Sequence, residues 1–295
     1  MRKILYLISP LMALAACTKE IDFDYHEVEP LVVIEGLVTD EGTSVVVTSS
    51  RSVSDPLPSP CRKDAVVTIT CDGKSTVIPY DAKSESYCSP MAGVAGKTYQ
   101  LDVDLDGRHY EASAYMTPPA TILAADFFWM SVVDERMLVY ELWALDPDPS
   151  ERTHFWYRMD RISHHPHFEG KTSTEPYRWG VLDDRGCPPG KVFIDMMATS
   201  EKAMDKDEED DWDYILYDGD SITCRLMTID RPVYDYFTSL RAGQRNGANP
   251  RTNISGGCLG YFAAGSVTRT DTIVFRRSDI KEWTKSQWGL APNTP

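Results

Sequence analysis

Short apolar runs rich in β-branched residues, separated by polar turn formers, recur from Leu31 to Ala112. Leu31-Val32-Val33-Ile34-Glu35-Gly36-Leu37-Val38 opens a series continued by Ser44-Val45-Val46-Val47-Thr48, Ala65-Val66-Val67-Thr68-Ile69-Thr70, Thr76-Val77-Ile78, Thr98-Tyr99-Gln100-Leu101-Asp102-Val103 and His109-Tyr110-Glu111-Ala112. Such segments, rich in β-branched and aromatic residues, predict strands. Their separators are turn formers: Asp40-Glu41-Gly42, Cys71-Asp72-Gly73-Lys74 and Asp106-Gly107. The last two contain Asp-Gly pairs, which tolerate the positive φ of tight hairpins. Short strands with frequent turns and no helical period between them predict an immunoglobulin-like β-sandwich over residues 31–118, closed by Pro118-Pro119.

Strand character resumes at 122–133, 137–145 and 153–159, so a second β-rich domain is expected over residues 119–290. Residues 163–190 read as a long excursion broken by His164-His165-Pro166-His167 and Pro188-Pro189-Gly190, and residues 199–214 as an acidic loop. Strands return at 221–228, 260–267 and 271–275. One short helix is expected after Asp230, with Pro232 in its first turn and Val233, Phe237 and Leu240 on one face. The fold class is therefore all-β, two sandwich-like domains, the second with long loops.

The first thirty residues follow a different pattern. Arg2 and Lys3 precede an apolar run from Ile4 to Leu14, and Ala15-Ala16 place small residues directly before Cys17. This is the layout of a lipoprotein leader, residues 1–16, with Cys17 as the lipidated N-terminus of the mature protein. The run is too short to span a bilayer and contains Pro10. Residues 17–30 are polar, acidic and aperiodic, as suits a tether.

Charge narrows the functional classes. The formal charge is −15, and loss of Arg2 and Lys3 with the leader takes it to −17. Nucleic acid is excluded as a partner, because binding a polyanion needs basic patches. Six cysteines follow Cys17, namely Cys61, Cys71, Cys88, Cys187, Cys224 and Cys258, and an exported chain meets an oxidising compartment, so disulfides are expected with their connectivity open.

Candidate chemistry is sparse. Asp205, Asp207, Glu208, Glu209, Asp210, Asp211 and Asp213 form the densest acidic run, but a calcium loop begun at Asp205 would have Asp210 where glycine is required, so the run reads as a solvated charge cluster. Of the clustered histidines, His165 and His167 are the two that can converge. His165, His167, Asp205, Asp207 and Glu209 are thus weak metal candidates, and no cofactor is expected. The chain has no G-x-S-x-G elbow, while paired carboxylates for glycan hydrolysis stay open. All seven tryptophans lie beyond residue 118; Trp179 and Trp212, in polar segments, are the expected ligand or partner contacts.

These features together resemble a known family. The Cys17 leader, the strands beginning at Leu31 and Gly96, and above all the segment Asn249-Pro250-Arg251-Thr252-Asn253-Ile254-Ser255-Gly256-Gly257-Cys258-Leu259-Gly260-Tyr261-Phe262 are similar to Bacteroidetes outer-membrane lipoproteins grouped as a domain of unknown function, DUF4249. The resemblance implies a two-part β-rich architecture and association with a TonB-dependent outer-membrane receptor, and brings no catalytic residues. Lys19-Glu20-Ile21-Asp22-Phe23-Asp24 is also similar to a surface-export signal of such bacteria. The expected function is that of a lipid-anchored, cell-surface accessory or binding protein, with a surface hydrolase of glycans or peptides and a structural or adhesive module as the alternatives.

Overall fold

A computed structural model describes residues 29–51, 59–163, 165–168 and 176–283. Cys17, most of the tether, His164 and Trp288 lie outside the described residues.

The protein is all-β, built as two packed sandwiches. The strands of the first half are β1 (Val32–Thr39), β2 (Gly42–Ser49), β3 (Val66–Cys71), β4 (Lys74–Ile78), β5 (Tyr80–Asp81), β6 (Ser86–Ser89), β7 (Thr98–Leu105) and β8 (Arg108–Tyr115). Those of the second are β9 (Thr121–Val132), β10 (Glu135–Leu145), β11 (His154–Ile162), β12 (Arg178–Asp183), β13 (Lys191–Ser200), β14 (Ser221–Ile229), β15 (Leu259–Gly265), β16 (Val267–Arg269), β17 (Ile273–Val274) and β18 (Lys281–Glu282). Two helices, α1 (Glu201–Lys206) and α2 (Arg231–Asn246), complete the described elements.

In the first sandwich, a sheet ordered β15-β1-β2-β6-β5 packs on one ordered β4-β3-β7-β8. Alternate residues Tyr99, Leu101, Val103 and Leu105 of β7 point inward to meet Ile34, Val38, Val45 and Val47. The hairpins follow the turn chemistry: Asp72 and Gly73 both have positive φ, as do Asp106 and Gly107, which matches the right-handed twist of the flanking strands. In the second sandwich, sheet β13-β10-β9-β18 packs on sheet β12-β11-β14-β16, with β17 beside β14. Phe127, Trp129, Tyr140, Phe155, Phe275 and their neighbours form its core.

The division of the chain at residue 118 needs correction. Strand β15 leaves the second half and pairs in parallel with β1 from Val33↔Leu259 to Thr39↔Gly265, so the first sandwich is discontinuous in sequence. Phe262 and Ala264 enter the first core, whereas Tyr261 and Ala263 face a third apolar cluster with α2. Both faces of β15 are buried, which is why its sequence is a continuous apolar run without alternation.

Asn253 holds this strand in place. Its side-chain oxygen accepts from the Phe262 backbone N–H at 2.9 Å and its amide donates to the Phe262 carbonyl at 2.8 Å. Ser255 N–H donates to the Glu111 carbonyl at 2.8 Å, binding the same segment to β8. Gly260 has φ +104°, and a Cβ there would stand 1.9 Å from the Ile34 carbonyl oxygen. The Asn249–Phe262 segment is therefore a clasp.

Three further expectations change. The six cysteines after Cys17 are free thiols: Cys258 lies in the first core, Cys224 in the second, and the remaining four on separate strands and loops. The excursion at 163–190 contains β12, which pairs with β11, and the unforeseen β13 follows it. The acidic loop begins as helix α1, because Ser200 caps it by accepting from Ala203 N–H at 3.1 Å. Helix α2 has the predicted cap, with Asp230 accepting from Val233 N–H at 3.3 Å and Gly247 in the left-handed conformation at its end.

Two outcomes follow from the clasp and the cap. Gly260→Ala is expected to cost more than about 3 kcal/mol, because backbone must move, whereas Gly257→Ala, at positive φ with open space around it, costs about 1–2 kcal/mol; urea unfolding of both variants separates the two causes. Burial raises the Asp230 carboxyl to about 6, while its unfolded value is about 3.9. The native chain then binds this proton more tightly, so the Asp230 contribution falls as pH rises from about 4 to about 6 and is flat above, by up to about 3 kcal/mol. Asp230→Asn keeps a capping oxygen and removes that slope; urea midpoints of both proteins between pH 4 and 7 measure the difference.

Candidate functional site

A cleft of about 390 Å³ lies between the two sandwiches. Its first wall is the outward face of β1 and β2, with Leu37, Thr39 and Ser44; its second is the outward face of β11 and β14, with Trp156, Arg158, Arg225 and Met227. The period of two makes both walls: in β1, Ile34, Gly36 and Val38 turn to the core, so Leu37 and Thr39 turn to the cleft. The third cluster, with Met227, Tyr236, Phe237 and Tyr261, underlies the cleft. Trp156 packs into it with its ring 4.7 Å from that of Phe237.

Polar bonds tie the walls together. Asp40 accepts from the Val267 N–H at 3.0 Å, Glu41 pairs with Arg269, and the Thr117 carbonyl accepts from both Thr228 Oγ1 at 3.0 Å and Ser266 Oγ at 2.8 Å. Arg158 and Arg225 stand directly opposite each other on neighbouring strands. Asp160 offsets their repulsion, accepting from Arg158 Nε at 2.7 Å and pairing with Arg225 at 3.0 Å. The trio carries one net positive charge in a strongly acidic protein. Burial pushes the Tyr236 phenol up to about 12 and raises Tyr261 as well, so both phenols beneath the cleft keep their protons. The Trp156 indole N–H is shut off from solvent and meets no acceptor among the described residues.

The residues singled out by sequence lie elsewhere, and several of them meet. The His165 ring stacks on Tyr217 at 3.8 Å and 15°, the His167 ring stacks on Trp212 at 3.8 Å and 16°, and the two imidazoles lie 4.3 Å apart. Asp207 joins them, accepting from the Tyr217 hydroxyl at 2.5 Å and lying 3.1 Å from His167 Nε2. Those two contacts hold its carboxyl below the usual range. Arg161, 3% exposed, supports the stack from beneath: it donates to the Ile215 carbonyl at 2.8 Å and lies over the Phe168 ring at 4.3 Å.

Stacking turns ring faces together, and ligand nitrogens sit on ring edges, so His165, His167 and Asp207 do not bring three ligand atoms to one point. Asp205 pairs with Arg277 at 2.8 Å instead, and Glu209 begins an exposed 3-10 turn. Trp179 is a strand residue of β12, 5.7 Å from the Phe237 ring and beneath the Arg241 guanidinium. Of the two tryptophans expected to be loop contacts, Trp212 alone lies in a loop. Sequence reading missed Arg158 and Arg225; their signal is an arginine at an outward position of each strand, with Asp160 two residues on in β11.

The family model described as "Domain of unknown function (DUF4249)" matches residues 18–271. The chain belongs to that family. The matched span takes in the clasp, the cleft and every strand of this DUF4249 protein from β1 to β16. No curated protein matches it. A solved structure of the chicken interferon gamma receptor alpha chain, with selenomethionine, aligns over 68% of this chain and 90% of its own at 7% identity and a TM-score of 0.19. The sandwich character of the DUF4249 chain rests on its own sheets.

Removing the carboxylate between the two cleft arginines tests the electrostatic account. Asp160→Asn is expected to lower stability by about 0.5–1 kcal/mol at low salt, and the deficit should shrink at about 0.5 M salt as the guanidinium repulsion is screened. Urea unfolding at two ionic strengths measures both.

Proposed function

We propose that this protein is a lipid-anchored accessory protein of the outer membrane, facing the cell surface, that engages a TonB-dependent receptor through the cleft between its sandwiches. In this reading Cys17 carries the lipid, and the acidic tether holds the body away from the membrane. The observation that carries the proposal is the cleft itself: a concave surface built from both sandwiches, largely apolar, with Arg158 and Arg225 at its wall. Buried apolar area with a few fixed polar groups is the ordinary composition of a recognition site. Family membership and the Cys17 leader support the location.

This cleft suits recognition better than it suits either alternative. An adhesive or purely structural module needs no cleft. Glycan hydrolysis needs two carboxyl groups flanking the scissile bond, and among the described lining residues Glu41 is the one carboxylate, already paired with Arg269.

Affinity purification of the tagged protein from detergent-solubilised outer membranes is the test. The wild type should bring down a receptor, and Ser44→Trp, which fills the cleft from an exposed position, should lose it with an unchanged melting temperature. Cys17→Ser should leave the membrane fraction. Recovery of the wild type alone would count against the reading.

A further inference from the structure

The outer face of the four-stranded sheet in the first sandwich carries a second constellation, far from the histidine motif noted in the sequence. Strand β7 turns Leu101, Val103 and Leu105 inward, so Asp102 and Asp104 point outward; β8 turns Tyr110 inward, so His109 and Glu111 point outward beside them. Pairing puts Asp102 directly opposite Glu111 and Asp104 directly opposite His109. Two carboxylates facing each other across a strand pair repel and destabilise the sheet unless a positive charge lies between them.

The imidazole is held in a defined orientation. His109 Nδ1 lies 2.9 Å from Asp104 Oδ1; in the neutral tautomer with Nδ1 as the donor, Nε2 is the ligand atom. Nε2 faces the other two carboxylates, 3.4 Å from Asp102 Oδ1 and 4.0 Å from Glu111 Oε2. One ligand atom from each of Asp102, His109 and Glu111 falls within 4.8 Å of the others. A tetrahedral zinc ion with bonds of about 2.0–2.1 Å needs ligand atoms about 3.3–3.5 Å apart, so small side-chain rotations complete the set. A carboxylate on the far nitrogen of a ligating histidine is the usual way to fix its tautomer and raise its basicity.

The backbone beneath is also fixed. The clasp donates Ser255 N–H to the Glu111 carbonyl at 2.8 Å, and Gly256 lies so close to β8 that a Cβ there would stand 2.5 Å from the His109 carbonyl oxygen. Both β8 positions are thus mounted on backbone that the clasp holds in place, while their side chains stay exposed.

We propose that Asp102, His109 and Glu111 form a zinc-binding site on the surface of the first sandwich, with Asp104 as the positioning residue behind His109. Three protein ligands leave one coordination position open. With His109 half exposed, that position faces solvent and is accessible to water or to a ligand atom from another molecule. The site is independent of the cleft and of the receptor proposal.

Isothermal titration of detergent-solubilised full-length protein with Zn²⁺ tests it. Binding with one ion per chain and a dissociation constant in the micromolar range is expected. His109→Gln and the double variant Asp102→Asn/Glu111→Gln should weaken it at least tenfold, and Asp104→Asn by roughly tenfold through the imidazole alone. Co²⁺ in place of Zn²⁺ should give visible absorption bands of a four- or five-coordinate ion that disappear in His109→Gln. Far-ultraviolet circular dichroism confirms that each variant is folded. The proposal is overturned if the wild type takes up no zinc below about 100 μM, or if uptake survives His109→Gln and is instead lost in a His165→Gln/His167→Gln variant.

Discussion

The parallel pairing of β1 with β15 is the constraint on which the rest of this molecule depends. It joins residues more than 220 positions apart, and it can form only because Gly260 brings the backbone against Ile34 without a side chain in the way. Its closure entropy grows only slowly with loop length, so a long connection is a modest thermodynamic burden. The gain is large: β15 contributes Phe262 to one core and Tyr261 to another. A single strand thereby makes the two sandwiches parts of one packed structure.

The cleft is a consequence of that strand. Because β15 buries both faces, the outward side of the first sheet beside it is covered by α2 and by Trp156, and the apolar floor forms where those elements meet. Asp40, Glu41 and Thr117 then tie the rims through hydrogen bonds and an ion pair. Exposed ion pairs alone hold two such walls together weakly. Here they act on walls that the shared strand already holds together, so the cleft is a property of the packing and its polar rim sets the final geometry.

Most of the strands were legible because their apolar, β-branched runs are bounded by turn formers, and α2 because Asp230 and Pro232 mark its start. The boundary at Pro118-Pro119 was legible as a break in the chain, but membership of β15 in the first sandwich was not: an apolar run reads the same beside either core. The disulfide expectation rested on compartment and count, and neither says that Cys224 and Cys258 lie in different cores. The family segment Asn249–Phe262 was legible as a motif and not as a clasp, since its hydrogen bonds to β8 are long-range. The cleft residues shared that fate: Arg158 and Arg225 are 67 positions apart and meet only through strand register.

The two histidine groups show how spacing misleads. His165 and His167 are close in sequence, and their adjacency suggested ligation; yet between Tyr217 and Trp212 their faces are occupied, and stacking is a use of imidazole that leaves its nitrogens pointing outward along the ring plane. His109 is the one histidine of its hairpin, and its partners are Glu111 two residues on and Asp102 and Asp104 from the neighbouring strand. A β-sheet brings together outward residues two apart on one strand with those opposite them on the next, so donor sets on a sheet face are encoded as pairs of alternating polar positions rather than as a compact motif. Asp102, Asp104, His109 and Glu111 are such a pattern, split by the Asp106-Gly107 hairpin that fixes their register. The turn that made the strands easy to read is therefore the same feature that assembles the ligands.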